Sequence, residues 1–198
     1  MIGEVMDWLL ALLLGYALGS IPFGLLLAKA AGKGDIRSIG SGNIGATNVL
    51  RTGSKGLAAA VLLLDLVKGY LPVFLAWRWW PETAGFAALG AVIGHCFPVW
   101  LRFKGGKGVA TAAGVCFGLA WPVGVAYAIC WLAVLAVTRI SSMAGFLAPF
   151  AALAAAAFVG HEEFLPVLAA IAVIVVFQHR ANLARIRAGT EPKVGQKG

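Results

Sequence analysis

The sequence predicts an all-α integral membrane protein, a seven-helix bundle forming one domain over residues 1–198, with two short helices paired as a hairpin, the N-terminus outside and the C-terminus in the cytoplasm. Three observations carry this reading. The 198 residues are 61% hydrophobic and 12% charged, which is more apolar surface than a soluble domain of this length buries. Apolar runs of about 20 residues, enough to cross a bilayer, recur along the chain. The charges between those runs sort by side.

The first predicted helix covers residues 6–29, where Gly15, Gly19 and Gly24 are spaced to admit a neighbouring helix closely. Its acidic start and the lack of a small-residue cleavage site predict that this run is retained. A polar segment follows, then a second helix over residues 57–77 that ends at Arg78-Trp79-Trp80-Pro81, a sequence suited to a membrane interface. The third helix, residues 83–101, carries the Gly90/Gly94 pair and stops at Arg102-Phe103-Lys104-Gly105-Gly106-Lys107. Residues 109–138 are apolar throughout, but Trp121-Pro122 divides them, because proline disfavours helical backbone at the residue before it. Two short helices that enter and return are expected there. Residues 143–159 and 164–177 supply the last two helices, joined by Gly160-His161-Glu162-Glu163, and a basic tail follows.

Threading these helices in alternation puts fourteen of the sixteen Lys and Arg residues on one side and Arg78 alone on the other, with Lys68 inside the second helix. By the positive-inside rule the side with fourteen is cytoplasmic. The net charge of +8 thus belongs to membrane topology, and the expected partner is lipid, not nucleic acid. Asp65 and Lys68, spaced i, i+3 at lipid depth, are expected to pair with each other and face the bundle. Cys96, Cys116 and Cys130 lie in apolar runs without metal-ligand spacing and read as free thiols.

Three segments on the cytoplasmic side carry chemistry. Gly40-Ser41-Gly42-Asn43-Ile44-Gly45 has the GxGxxG form, yet it lies between membrane helices with no preceding strand, which excludes a dinucleotide fold. Its glycines expose N–H groups, Ser41, Asn43, Thr47 and Asn48 offer hydrogen bonds, and Arg51 is able to grip a phosphate bidentately. An ordinary capped loop is the alternative. In the second segment Gly105-Gly106-Lys107-Gly108 opens the short helix at 109, so that N–H groups, a helix dipole and Lys104 and Lys107 converge as an anion site. It is not a nucleotide P-loop, because Gly108 stands where Ser or Thr is required. In the third, His179 and Asn182 share one helical face, as do Asn182 and Arg185; a solvated basic helix end is the alternative.

Gly-Ser-Ile-Pro-Phe-Gly at 19–24, the run from Gly40 to Arg51, the Gly-His…Phe-Lys-Gly-Gly-Lys-Gly-Val-Ala-Thr run, and the terminal His-Arg-x-Asn…Arg…Gly-x-Glu pattern resemble, in order, the bacterial acyl-phosphate:glycerol-3-phosphate acyltransferase family, PlsY. That resemblance covers nearly the whole chain. It implies transfer of a fatty acyl group from acyl phosphate to the 1-hydroxyl of glycerol 3-phosphate, giving lysophosphatidic acid and phosphate at the bacterial inner membrane. Carried over by motif, Ser41, Gly42, Asn43, Thr47, Asn48 and Arg51 bind phosphate, Gly105, Gly106 and Lys107 form a second anion cradle beside Lys104, and Ser142, His179 and Asn182 complete the site. Lys107, His179 and Asn182 are the expected catalytic residues. Where members often carry a second serine, three residues beyond Ser142, this chain has Gly145.

An acyl phosphate is already activated, so direct attack by the acceptor hydroxyl needs no covalent acyl-enzyme. The proton goes to His179 or to an oxygen of the donor phosphate. Thioester-dependent acyltransferases commonly pair a His with an Asp four residues later, and His95, His161 and His179 lack such a partner. With only Asp35 and Glu191 as acids on that side, no metal or other cofactor is expected, and a monomer is expected to suffice. Two other classes compete. An organic-phosphate transporter would place its binding groups near the midplane of repeated halves, and no repeat is visible. A protein that only binds anionic lipid needs basic residues but leaves the glycine-rich motifs unexplained.

Overall fold

The computed structural model describes residues 2–195, and every regular element among them is a helix. Its α-helices are α1 (Ile2–Gly19), α2 (Phe23–Ala30), α3 (Ala46–Leu50), α4 (Lys55–Trp79), α5 (Ala84–Cys96), α6 (Val109–Leu119), α7 (Trp121–Thr138), α8 (Ser141–Phe158), α9 (Leu165–Gln178) and α10 (Arg180–Arg187). Five spans are long and apolar enough to cross a membrane, and the count reaches six where α9 and α10, bent by 60° between them, are taken together as one. This is an integral, multi-pass membrane protein. Each of the seven predicted helices is present, with three differences of form, the simplest being that the third, expected over 83–101, ends at Cys96 and gives way after Pro98 to a 3-10 turn at Val99–Leu101.

The first predicted helix is broken. Pro22 has no N–H to continue the ladder, so α1 stops at Gly19 and α2 restarts at Phe23. The carbonyls released at the break find donors elsewhere: Trp100 Nε1 donates to Ser20 O at 2.9 Å, and Lys68 Nζ donates to Ile21 O at 2.7 Å. The hairpin also differs from expectation, since only α6 is short. Pro122 occupies the first turn of α7, where a missing N–H leaves no bond unmade, and α7 runs for 18 residues.

Glycines decide how closely the helices meet. A Cβ on Gly15 or Gly19 would strike the backbone of Ala87 or Ala91, and one on Gly90 or Gly94 would strike Leu12 or Tyr16. The α1–α5 contact is therefore backbone against backbone from both sides. Gly69 and Gly114 do the same between α4 and α6, facing Thr111 and Leu66. Two features fix the ends of the bundle. Trp77 meets Phe164 edge-on at 6.1 Å and donates to Gly118 O at 3.0 Å, which gathers the ends of α4, α6 and the start of α9. The polar segments gather at the opposite end.

Within the bundle, Asp65 and Lys68 are 3–4% exposed and pair at 2.8 Å. Isolated, either charge would be costly at this depth; together with the Ile21 carbonyl they close a polar knot that holds α4 to the α1–α2 break. All three cysteines are free, with Cys96 and Cys116 buried.

Candidate active site

Four stretches of sequence meet around one cavity of about 1280 Å³: the loop and helix at 40–55, the turn into α6, the start of α8, and the residues from His179 onward. Of the residues expected from sequence, Ser41, Asn43, Thr47, Asn48, Arg51, Lys107, Ser142, His179 and Asn182 line it. Gly42, Lys104, Gly105 and Gly106 do not. The reasons are local.

The first loop is built around Asn48, which is 2% exposed. Its Nδ2 donates to Ile36 O (2.7 Å) and Asn43 O (2.8 Å), and its Oδ1 accepts from Ser41 N (3.1 Å). Asn48 thus shapes the loop rather than offering its amide to a ligand. Asn43 Oδ1 accepts from Gly45 N at 2.9 Å, so it too braces the entry to α3. Gly40 has a φ of 55°, and a side chain there would collide with Asn48 and the Arg51 guanidinium. Gly42, at φ 67°, makes the turn by donating to Ile39 O. What this scaffold presents outward is Ser41 Oγ, Thr47 Oγ1 and the Arg51 guanidinium, none of which is hydrogen-bonded among the described residues.

The second loop corrects a detail of the sequence reading. Gly105 N and Gly106 N are not free, because they donate to Cys96 O (3.1 Å) and His95 O (3.0 Å). The Gly106 carbonyl is held in turn by Gln178 Nε2 at 3.0 Å, and the His95 ring lies where a Gly106 side chain would be. These two glycines fasten the loop to α5 and α9. Lys104 is exposed outside the cavity. The N–H groups that make no hydrogen bond among the described residues are those of Lys107 through Thr111, at the N-terminus of α6 and beside the cavity. A helix N-terminus with free donors favours an anion. The Lys107 ammonium shares this space; burial pulls its pKa down to about 8, with Glu191 opposing the shift and Arg185 and Arg51 adding to it.

The third wall turns on Glu191, which sequence reasoning did not place in the site. Its side chain is 6% exposed; Oε1 accepts from Ser142 Oγ (2.6 Å) and Asn182 Nδ2, and Oε2 accepts from Arg185 Nε (2.7 Å). Burial pushes its carboxyl upward, but these three donors outweigh burial and hold it below the usual range. Because the carboxylate fixes which end of the Asn182 amide faces it, Asn182 Oδ1 is left buried with no partner among the described residues. His179, 1% exposed, places Nδ1 2.7 Å from Val175 O; a carbonyl only accepts, so Nδ1 carries the proton and Nε2 the lone pair. Nε2 faces the space left open by Gly145. The tail is tied back over the cavity by Val194 N to Arg139 O (2.8 Å) and Arg139 Nη2 to Val194 O (3.0 Å).

Beyond Lys107 the lining is largely apolar, with Leu66 on α4, Ala113 and Phe117 on α6 and Trp131 on α7, while Asp65 and His95 also reach the cavity. Basic groups and free N–H donors at one end of a membrane bundle, continuous with an apolar arm, define a helical membrane protein built to hold a phosphorylated compound beside a hydrocarbon chain.

Comparison with known proteins gives that class its family. The model of the glycerol-3-phosphate acyltransferase family matches residues 9–189. The glycerol-3-phosphate acyltransferases of Erythrobacter litoralis (strain HTCC2594) and Novosphingobium aromaticivorans are 64% and 60% identical, the first covering 97% of this chain and 98% of its own, the second 96% and 97%. The crystal structure of PlsY (YgiH), an integral membrane glycerol 3-phosphate acyltransferase, in its glycerol 3-phosphate form superposes with a TM-score of 0.90 at 36% identity, covering 95% of this chain and 96% of that one. Its lysophosphatidic acid form gives 0.88 at 35% identity, covering 95% of each. The chain belongs to the PlsY glycerol-3-phosphate acyltransferase family and is an enzyme of that family.

Proposed function

We propose that the protein transfers a fatty acyl group from acyl phosphate to the 1-hydroxyl of glycerol 3-phosphate, producing lysophosphatidic acid and phosphate. It does so as a monomer in the bacterial inner membrane, with the cavity open to the cytoplasm. The observation that carries the reading is the junction at Lys107. There the free N–H groups of the α6 N-terminus and three cations, Lys107, Arg51 and Arg185, stand beside an arm lined by Leu66, Ala113 and Phe117. A donor whose phosphate and acyl chain are joined at one carbonyl spans that junction. The side preference of the basic residues supports a cytoplasmic opening, where glycerol 3-phosphate is soluble.

The acceptor hydroxyl attacks the acyl carbon, the bond from that carbon to the phosphate oxygen breaks, and phosphate departs carrying the hydroxyl proton. Lys107 and the α6 N–H groups stabilise the charge growing on the donor. The donor's own phosphate oxygen is the proton acceptor in this scheme, because His179 Nε2 looks toward α8 at Gly145. Asn182 Oδ1, buried and without a partner, is suited to accept from a glycerol hydroxyl, which orients the polyol. Arg51, with Ser41 and Thr47, meets the glycerol phosphate.

The donor assignment is tested by presenting palmitoyl phosphate and palmitoyl-coenzyme A separately to purified enzyme with glycerol 3-phosphate. Turnover of the phosphate at least a hundredfold above the thioester is expected. Equal turnover overturns it.

A further inference from the structure

The turn that carries Lys107 is braced by side chains from three helices, and none of them takes the free N–H donors of residues 107–111. Gln178 on α9 donates Nε2 to Gly106 O at 3.0 Å, and Tyr127 on α7 donates its hydroxyl to Val109 O at 2.9 Å. From α5 comes His95, buried, whose ring spans the turn. Its Nε2 edge lies against Gly106, where a Cβ would overlap the ring, and its Nδ1 is 3.1 Å from the hydroxyl of Thr111 in the first turn of α6. The Asp65 carboxylate stands 4.0 Å from the same nitrogen, too far for a hydrogen bond, so Thr111 is its partner. One imidazole therefore touches the chain on both sides of Lys107, before it at Gly106 and beyond it at Thr111. Gly108, between the two contacts, has a φ of 83°, outside the helical range, so this stretch has no helical ladder of its own to hold Lys107 in place. Thr111 is fully buried, out of reach of a substrate.

We propose that His95 and Thr111 are a positioning pair for acyl transfer, acting through the Lys107 ammonium and the free N–H groups of α6, which they keep aimed at the donor's phosphate. The inference rests on the acyl-phosphate reading above and adds the two residues that aim its anion site. Those groups serve the acyl donor, whereas Arg51, Ser41 and Thr47 serve the glycerol phosphate. A loosened turn thus lowers kcat and leaves the KM for glycerol 3-phosphate unchanged. A displacement of about 1 Å at such a site costs on the order of a hundredfold in rate.

The test uses full-length enzyme in detergent with palmitoyl phosphate and glycerol 3-phosphate, and measures kcat, the KM of each substrate and Tm for Thr111→Val, Thr111→Ser, His95→Ala and His95→Asn. Thr111→Val keeps the shape of the side chain without its hydroxyl and should lower kcat by about tenfold or more, with the KM for glycerol 3-phosphate unchanged. Thr111→Ser, which keeps the hydroxyl, should recover most of that loss. His95→Asn, whose amide nitrogen falls near the position of Nδ1, should be more active than His95→Ala. If the His95 variants do not fold, the two Thr111 variants decide the matter. A Thr111→Val enzyme with wild-type kcat, a KM that rises for both substrates in step with a loss of Tm, or a conservative variant no more active than its disruptive counterpart overturns the pair while leaving the acyl-phosphate reading intact. A wild type inactive with palmitoyl phosphate overturns both.

Discussion

Asn182 and Glu191 are nine residues apart in sequence, and the amide of one donates to the carboxylate of the other at the cavity wall. Because Ser142 donates to the same oxygen and Arg185 to its partner, one buried carboxylate sets three side chains from two helices. Glu191→Ala should therefore lower kcat/KM at least tenfold without touching substrate directly. Glu191→Gln, which keeps an acceptor for Ser142 and Asn182, should retain more. Steady-state kinetics on the two variants checks the order, and equal activity of Glu191→Ala and wild type contradicts it.

Lys107 gives a pH signature. With its pKa near 8 in the free enzyme, kcat/KM for the acyl donor should fall as pH rises through that value, and Lys107→Arg, whose charge persists, should lose this alkaline limb. Unfolding does not mimic the effect. A depressed lysine pKa means that the fold disfavours the protonated form, so between about 8 and its ordinary value of 10.5 this group makes the protein more stable as pH rises. Activity falling while Tm holds or increases is the expected pair of results.

His179 is the proton acceptor in one scheme and a packing element in the other. Since its Nδ1 is held by Val175 O and its Nε2 faces Gly145, His179→Asn should cost less than a hundredfold in kcat. A larger loss, in the range typical of a removed general base, returns the role to His179.

The buried pair Asp65 and Lys68 predicts a double-mutant pattern. Lys68→Met leaves a carboxylate unpaired at membrane depth and should cost about 3–5 kcal/mol. Adding Asp65→Asn should recover part of that loss. Thermal unfolding in detergent measures both, and strictly additive losses contradict the pairing.

Much of this fold was legible in the sequence because the membrane enforces it. Apolar length located the seven helices, and the glycine spacing at Gly15 and Gly19 correctly signalled close helix contact. The break before Phe23 was not read, although Pro22 marks it, since an uninterrupted apolar run masked the loss of one N–H donor. In the site, residue types identified the segments but not the direction of each group. Gly105 and Gly106 turn their N–H groups inward because His95 and Cys96 offer carbonyls that only the folded chain brings near. Asn48 looks like a ligand in sequence and braces its loop in space. Glu191 was visible as a lone acid among tail cations, but its place under Ser142 and Asn182 depends on the tail folding back to Arg139, a long-range contact without a local signal.

The most direct measurement of the central claim is phosphate release from palmitoyl phosphate by detergent-purified enzyme, with and without glycerol 3-phosphate, for wild type and Lys107→Ala. Release that depends on glycerol 3-phosphate, yields lysophosphatidic acid in equal amount and drops at least a hundredfold in a folded Lys107→Ala protein is the predicted result. Release that ignores the acceptor, or survives the loss of Lys107, contradicts the account.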